Sequence, residues 1–160
     1  MSTPTVQIKA ATMDDLDQLV AHWLELAAGQ REYGSHLQTT ANRRRISEVF
    51  ARRIAQDQAH VARADDRIVG FVTFTMAGST FAKSSTRGVI QNLYVVPEAR
   101  GDGVGTQLLE TAERRLREHG ADTIALEAMA DNTPAQQFYR ARGYRPHRIT
   151  FEKSIESDTS

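Results

Sequence analysis

The sequence contains no cysteine among its 160 residues. This absence excludes a thiol nucleophile, a thiolate metal site and a disulfide framework. A chain of this length buries roughly two-thirds of its unfolded surface, so a core can form without a metal ion or a disulfide. Because soluble domains hold about 150 residues, we expect one domain over residues 1–155, followed by a frayed polar tail over residues 156–160.

The chain also has no net charge, because its 20 Lys and Arg residues balance its 20 Asp and Glu residues. A protein that binds nucleic acid through its phosphates needs a basic excess, so we expect no nucleic-acid partner. No apolar run approaches the ~20 residues that span a membrane, and residues 1–11 lack the apolar stretch of a signal peptide. These absences predict a soluble, cytoplasmic protein without a membrane partner.

The five histidines are too scattered to indicate a metal site or a catalytic triad. None lies four residues from another, as helical metal ligands do, and none shows the spacing of a Ser–His–acid triad. We therefore predict no metal site, and nothing supports an acyl hydrolase. The five are His22, His36, His60, His119 and His147.

Hydrophobic periodicity predicts strands and helices mixed along the chain. Strand-like runs cover residues 6–9, 60–64, 67–76, 89–96, 123–129 and 149–155. Helical spacing predicts helices from Thr12 to Gly29, over residues 41–57, from Val104 to Gly120, and from Pro134 to near Gly143. Asp65 and Asp66 are expected to form a hairpin turn. The fold class is therefore α/β or α+β, with helices packed on a mixed sheet.

A glycine-rich segment joins the fourth of these strands to the helix that begins at Val104. It consists of Arg100, Gly101, Asp102, Gly103, Val104, Gly105 and Thr106. The first N–H groups of a helix lack intrahelical partners and carry partial positive charge, and glycines allow an anion such as a pyrophosphate to approach closely. Neither the phosphate-loop motif nor the dinucleotide motif fits the spacing, and the glycines alone would suit a tight turn equally well.

The residues that flank this loop resemble the GNAT superfamily of acyl-CoA-dependent N-acyltransferases. The resemblance rests on Asn92-Leu93-Tyr94-Val95-Val96-Pro97, on Arg100-x-x-Gly103-x-Gly105, and on Asn132, Phe138-Tyr139 and Gly143-Tyr144. It is strong over residues 88–145, whereas over residues 6–76 it extends only to the order of elements. It implies a mixed, mostly antiparallel central sheet of six or seven strands with helices on both faces.

The resemblance also implies acetyl-CoA as the acyl donor and an amine as the acceptor, without a metal. The backbone of Leu93 and Val95 would hydrogen-bond the pantetheine arm, which would lie where two strands of the sheet diverge. The segment from Arg100 to Thr106 would hold the pyrophosphate, and Asn132 would bind the pantetheine amide. Tyr139 would lie near the thioester sulfur.

Acyl transfer from a thioester to an amine requires a base for the amine proton and a proton for the departing thiolate. Without a cysteine, direct attack by the amine is expected. Many members of the family carry a Glu on the strand before the pyrophosphate loop, but Gln91 and Asn92 occupy those positions here. An amide accepts no proton at neutral pH, so that version of the mechanism is excluded.

Glu127 is the candidate base, and Tyr139 is the candidate acid. Glu127 lies on a largely apolar predicted strand, where desolvation should raise the pKa of its carboxyl group. The pair resembles the base and acid of ribosomal-protein alanine N-acetyltransferases. Three alternatives stay open: Glu127 could face solvent or pair with an Arg, a water chain could replace the base, and Tyr139 could only pack under the sheet.

The leading hypothesis is an acetyl-CoA-dependent N-acetyltransferase that acts on a primary amine. Its rival is a catalytically idle acyl-CoA-binding sensor or regulatory module, which the amides of Gln91 and Asn92 favour. The first two helices and residues 30–39, which include His36, would set the acceptor. A peptide N-terminus, a Lys side chain and a small-molecule amine all stay open, and so does a homodimer.

Two arginine runs, Arg43 to Arg45 and Arg52-Arg53, stand out on the second predicted helix. Glu48 and Asp57 balance part of this charge, so a solvated helix face is the simplest interpretation. An anionic protein tail or an acidic acceptor is the alternative.

Overall fold

The computed structural model describes residues 5–78 and 83–155, which form a five-stranded sheet with helices packed against it. The strands are β1 (Val6–Ala10), β2 (Ala59–Ala64), β3 (Arg67–Met76), β4 (Arg87–Val95) and β5 (Thr123–Ala125). The helices are α1 (Leu16–Arg31), α2 (Arg43–Ala55), α3 (Val104–Glu118) and α4 (Thr133–Arg140). The tail predicted over residues 156–160 lies outside the described residues.

The strands lie in the sheet in chain order, from β1 to β5. Every neighbouring pair is antiparallel except β4 and β5, which are parallel. The mostly antiparallel sheet that the family resemblance implied is therefore confirmed. So is the hairpin between β2 and β3, which turns at Asp65 and Asp66 with Asp65 at a φ of 54°.

Helices cover both faces of the sheet, as two neighbouring residues of β3 show. The ring of Phe71 packs edge-on against Phe50 of α2, with the ring centroids 5.6 Å apart. Gly70 lies against α3, because a Cβ built there would be 3.0 Å from Cδ1 of Leu108. Successive strand residues point to opposite faces, so α2 and α3 lie on opposite sides.

The core is built from the inward faces of the sheet and the helices. Its largest fully buried side chains are Phe50, Phe71, Phe74, Leu19, Ile68, Leu108, Leu109, Leu116, Val61, Val72 and Val96. Within residues 5–78 and 83–155, every helix falls short of the length and apolar character that a membrane span requires.

The first helix begins and ends for different reasons. At its start, the backbone N–H of Thr12 donates to Oδ2 of Asp15 over 2.9 Å, and Asp15 also forms an ion pair with Arg63 of β2. At its end, α1 continues through Gly29, the predicted stop, and finishes at Arg31. A glycine inside a helix costs only about 1 kcal/mol relative to alanine, which core packing of the same helix offsets.

The C-terminal part of the chain departs from the sequence prediction. β5 ends at Ala125 instead of Met129, and residues 149–155 form no strand, so the described sheet has five strands rather than six or seven. Phe151 in this segment is 90% exposed. Apolar alternation alone does not form a strand, because each strand also needs a hydrogen-bonded neighbour.

Candidate functional site

The strands β4 and β5 run side by side for three residue pairs and then diverge. Their last pair is Val89 with Ala125. The gap beyond this pair is a cleft with a cavity of about 40 Å³. Its lining comes from β4, from the chain after β5, from α1 and from α4, and consists of Ile90, Gln91, Asn92, Leu93, Leu126, Glu127, Leu26, Gln30 and Tyr139.

Backbone groups of β4 point into this gap. The N–H of Val96 donates to the carbonyl oxygen of Val69 on β3, over 2.9 Å. Because backbone groups of successive strand residues alternate in direction, those of Val95 and Leu93 point away from β3. The structure therefore presents the backbone of the two residues that the sequence analysis assigned to the pantetheine arm.

A bulge in β4 directs Gln91 into the cleft. Thr73 of β3 pairs with Asn92, and the next residue, Phe74, pairs with Ile90, so Gln91 is the extra residue. Bulges redirect side chains and are common beside active sites. The Nδ2 of Asn92 donates to the hydroxyl oxygen of Thr73 over 2.8 Å. Both positions carry amides, which can hold a ligand but accept no proton.

Glu127 follows the end of β5 and lines the cleft. Its side chain is exposed, so the prediction that burial would desolvate this carboxylate is wrong. The reason is alternation along an extended segment: Leu126 packs against the core, and the next residue points outward. No arginine forms an ion pair with Glu127 among the described residues. Its carboxylate is thus open to a substrate or to water.

Tyr139 lines the same cleft from α4 and is half-buried. Its ring packs edge-on against Phe138 and Tyr144, with centroid distances of 5.5 Å and 6.0 Å. Burial raises the pKa of its hydroxyl above the ordinary value, which already keeps a tyrosine protonated at neutral pH. The structure brings the two candidate catalytic side chains, Glu127 and Tyr139, together.

The hydroxyl of Tyr139 differs from those of two other tyrosines nearby. The Tyr94 hydroxyl donates to Glu25 over 2.7 Å, and the Tyr144 hydroxyl donates to Glu113 over 2.7 Å. Burial and the hydrogen bond to Glu25 raise the pKa of Tyr94 to about 12. In the part of the chain that the structure describes, no protein group hydrogen-bonds the Tyr139 hydroxyl. Packing explains why an aromatic ring is present at this position, but it does not explain why the ring carries a hydroxyl group.

Two glycines shape the loop before α3. Gly101 and Gly103 have φ angles of 89° and 84°, in the left-handed region that other residues rarely adopt, and Gly103 is the residue that caps α3. A Cβ at either position would meet nothing within 4 Å, so the space around both is open. An open helix N-terminus with this curvature fits an anion such as a pyrophosphate.

Gly105 has a different role from the one expected in this loop. A Cβ there would lie 3.4 Å from Cζ of Phe138 and 3.7 Å from Cγ2 of Val95. These are ordinary van der Waals distances, so Gly105 lies where α4 packs on the first turn of α3, whereas the sequence analysis had considered a ligand contact or a tight turn.

Two arginines flank the loop, and the sequence analysis identified only one of them. Arg100 donates from Nε to the carbonyl oxygen of Val95 over 2.9 Å. Arg142 donates to the hydroxyl oxygen of Thr106 from Nε (3.1 Å) and Nη2 (2.5 Å), and its Cζ lies 3.7 Å from the centroid of the Phe138 ring. Arg142 follows the end of α4, and no motif in the sequence pointed to it.

Asn132 caps α4 through its side chain. Its Oδ1 accepts a hydrogen bond from the N–H of Ala135 over 3.2 Å, and Pro134 follows at the start of the helix, where prolines are favoured. The Nδ2 of Asn132 can still donate to a ligand, so the predicted contact with the pantetheine amide is compatible with the cap.

Leu26 and Gln30 line the cleft from α1, which is one of the two helices expected to set the acceptor, and Gln30 is also the first residue of the segment 30–39. Farther along the same segment, Nε2 of His36 lies 3.2 Å from Oε1 of Glu152 and so connects the loop to the C-terminal segment. Across the two described segments, no group of three His, Asp or Glu side chains is arranged to hold a metal ion.

Sequence comparison connects this geometry to known proteins. The sequence model of the acetyltransferase (GNAT) family matches residues 19–144. An aminoalkylphosphonate N-acetyltransferase of Salmonella typhimurium is 27% identical over 154 residues, which cover 95% of this chain and 93% of that protein. An uncharacterized N-acetyltransferase of Archaeoglobus fulgidus is 28% identical over 142 residues, which cover 88% of this chain and 93% of that protein.

Solved structures share the fold over nearly the whole chain. A GCN5-related N-acetyltransferase from Ralstonia eutropha matches with a TM-score of 0.75 and 24% identity, covering 96% of this chain and 100% of that one. A predicted acetyltransferase from Clostridium acetobutylicum, solved with acetyl-CoA, matches with a TM-score of 0.72 and 19% identity, covering 98% and 100%. At these identities the likeness establishes the fold.

Proposed function

Because the chain belongs to the acetyltransferase (GNAT) family, we propose that it transfers the acetyl group of acetyl-CoA to a primary amine. The observation that carries the proposal is the cleft between the diverging strands, in which Glu127 and Tyr139 meet. Aminolysis of a thioester needs one group that accepts a proton and one that donates a proton, and the cleft holds both. The chain has no cysteine, so the amine attacks the thioester directly.

The acetyl-CoA would lie along β4 and end at the loop before α3. The outward backbone groups of Leu93 and Val95 would pair with the amides of the pantetheine arm, as a neighbouring strand would. Asn132 would add one donor from Nδ2. The segment from Arg100 to Thr106 would receive the pyrophosphate, with Arg142 beside it as a second cation.

In the proposed reaction, the amine nitrogen attacks the thioester carbonyl carbon, and the carbon–sulfur bond breaks as the new carbon–nitrogen bond forms. Glu127 accepts the proton of the attacking amine, either directly or through a water molecule. Tyr139 donates its proton to the departing sulfur. A tyrosine hydroxyl carries its proton at neutral pH, so the proton is available when the thiolate forms.

The acceptor we propose is a small-molecule amine. Support comes from the Salmonella relative, which is named for a small acceptor and is similar over nearly the full length of both chains. The narrow cleft beside Gln30 and Gln91 also suits a small amine better than a folded protein surface.

A thiol-release assay tests the proposed function. The protein is incubated with acetyl-CoA and a panel of small amines, and free CoA is followed with a thiol reporter while mass spectrometry identifies the acetylated amine. CoA release that depends on an amine and yields its N-acetyl product supports the proposal. Tight binding of acetyl-CoA without any turnover would instead support the catalytically idle sensor, which the amides at Gln91 and Asn92 favour.

A further inference from the structure

Arg53 lies on the last turn of α2, and its side chain donates hydrogen bonds to uncharged groups. Its Nε donates to Oε1 of Gln91 over 2.9 Å, and its Nη1 donates to the side-chain oxygens of Gln56 (3.1 Å) and Gln58 (3.3 Å). Three amide oxygens fix the plane of the guanidinium group without neutralising its charge. A side chain immobilised in this way loses little further rotamer freedom when it binds a ligand.

Among the described residues, no neighbouring carboxylate neutralises the positive charge of Arg53. The nearest acidic residues of this region are engaged elsewhere, because Glu48 pairs with Arg44 over 3.7 Å and Asp57 pairs with Arg115. Over the described residues, no carboxylate forms an ion pair with Arg53, and its Nη2 donates to no protein group. The same helix carries four more arginines: Arg43, Arg44, Arg45 and Arg52.

The partner of Arg53 connects it to the cleft. Gln91 is the bulged residue of β4, and it lines the cleft together with Glu127 and Tyr139. Arg53 therefore lies one side chain behind the cleft wall. The cleft thus has a free carboxylate on the chain after β5 and a fixed cation behind β4.

We propose that Arg53 binds an anionic group of the acceptor, so that the preferred substrates are amines that also carry a carboxylate, phosphate or phosphonate. This inference rests on the proposed function and specifies its acceptor. The Nη2 of Arg53 is the donor left over for such an anion, and a hydrogen bond between a guanidinium group and an anionic oxygen is stronger than one between neutral groups. The amine of the same molecule would then lie on the Glu127 side of Gln91, within the cleft.

Calorimetric binding tests the inference without turnover. The protein, saturated with CoA, is titrated with 2-aminoethylphosphonate, with β-alanine and with propylamine, which lacks the anion. Because hydrogen bonds to a charged group are strong, both anionic amines should bind at least about tenfold more tightly than propylamine. Arg53→Met should remove this preference, and Arg53→Lys should keep part of it.

A matched control lies next to Arg53 in the chain. Arg52→Met removes the same charge from the exposed surface of α2, and the preference for anionic amines should survive it. Equal binding of all three amines, or equal losses in Arg52→Met and Arg53→Met, would overturn the inference. So would an Arg53→Met variant that loses as much affinity for propylamine, relative to the wild-type protein, as it loses for the anionic amines, because that result would mean that Arg53 only supports Gln91.

Turnover of the same amines separates this inference from the proposed function. If no amine is acetylated but the binding preference depends on Arg53, acetyl transfer fails and the anion site stands. If all three amines are acetylated with equal kcat/KM by the wild-type protein and by Arg53→Met, acetyl transfer stands and the anion site fails.

Discussion

The third and fifth strands belong to one sheet but are held in it very differently. β3 pairs with a strand on each side, and seven consecutive residues, Ile68 to Phe74, are buried. β5 pairs on one side only, for three residues, and none of them is buried. One part of the sheet is closed and densely packed, whereas the other leaves backbone groups and side chains accessible.

This difference suggests a division between stability and ligand binding. Changes in the closed part should alter the free energy of unfolding, because each buried group there has packing or hydrogen-bonding partners. Changes at the open end should alter catalysis or cofactor affinity with little effect on folding, because those groups have few protein partners. Each of the predictions below compares a residue with a matched control that should not share its effect.

The largest effect is expected at Glu127. Glu127→Gln keeps the size of the side chain and removes the group that accepts the proton, so kcat should fall about 10²–10⁴-fold at neutral pH. Because Glu127 is exposed, thermal stability and acetyl-CoA affinity should stay unchanged. Steady-state kinetics and calorimetry measure these quantities.

The control for Glu127 is Glu110→Gln, on the exposed face of α3, which should have wild-type kcat. A Glu127→Gln variant with nearly normal kcat and an unchanged pH profile would contradict the assignment. A water chain, or prior deprotonation of the acceptor, would then replace the base.

Tyr139 should show the next largest effect. Tyr139→Phe keeps the ring and deletes a hydroxyl that has no described protein partner, so stability should hold while kcat falls about tenfold or more. The decrease should be smaller for thioester donors with more acidic thiols, because such leaving groups need less protonation. Kinetics with a series of donors measures this dependence.

Tyr144→Phe is the matched control for this prediction. It deletes the hydroxyl that donates to Glu113, so the free energy of unfolding should fall by about 1 kcal/mol while kcat stays normal. If Tyr139→Phe instead slowed all donors equally and lowered stability, Tyr139 would belong with the packed tyrosines rather than at the reaction centre.

A third prediction concerns the loop before α3. Gly103 has a φ of 84°, so Gly103→Val must shift the backbone amides that precede α3, and acetyl-CoA should bind at least about tenfold more weakly. Gly120→Val is the control, since Gly120 has a φ of 96° at the other end of α3. Equal acetyl-CoA affinities for the two folded variants in calorimetry would remove the loop from the binding site.

The sequence predicted the closed part of the sheet more accurately than the open part. The hairpin of β2 and β3 was predictable from its apolar runs and its Asp65-Asp66 turn, because both signals are local. Residues 149–155 show a similar apolar alternation and form no strand. Local pattern cannot specify whether a neighbouring strand is available for pairing.

The candidate site was predictable in part for the same reason. The family motif pointed to Tyr139, the apolar strand and the resemblance of the pair pointed to Glu127, and both side chains line one cleft. The expected burial of Glu127 was wrong, because the sequence does not reveal which side of an extended segment faces the core. Arg53 and Arg142 were not assigned to the site, since their partners lie 38 and 36 residues away.

The smallest effect on activity is expected at Asp15, which contacts the closed part of the sheet through Arg63 of β2. This buried carboxylate accepts hydrogen bonds from Thr12 and pairs with Arg63; burial alone would raise its pKa, but these contacts outweigh burial and lower it. A folded-state pKa below the unfolded value of about 3.9 stabilises the protein above that pH, and this stabilisation is lost as pH falls through the folded-state pKa. Asp15→Asn should therefore lower the free energy of unfolding by about 1–3 kcal/mol at pH 7 and by less as the pH falls below 4, with kcat unchanged. Urea denaturation across this pH range measures the difference, and Asp14→Asn, on the exposed side of the same turn, should have no such effect. A stability loss that is constant from pH 3 to pH 7 would show that the ionised carboxylate is not its source. A loss of kcat would show that the two parts of the sheet are not separate in the way that their packing indicates.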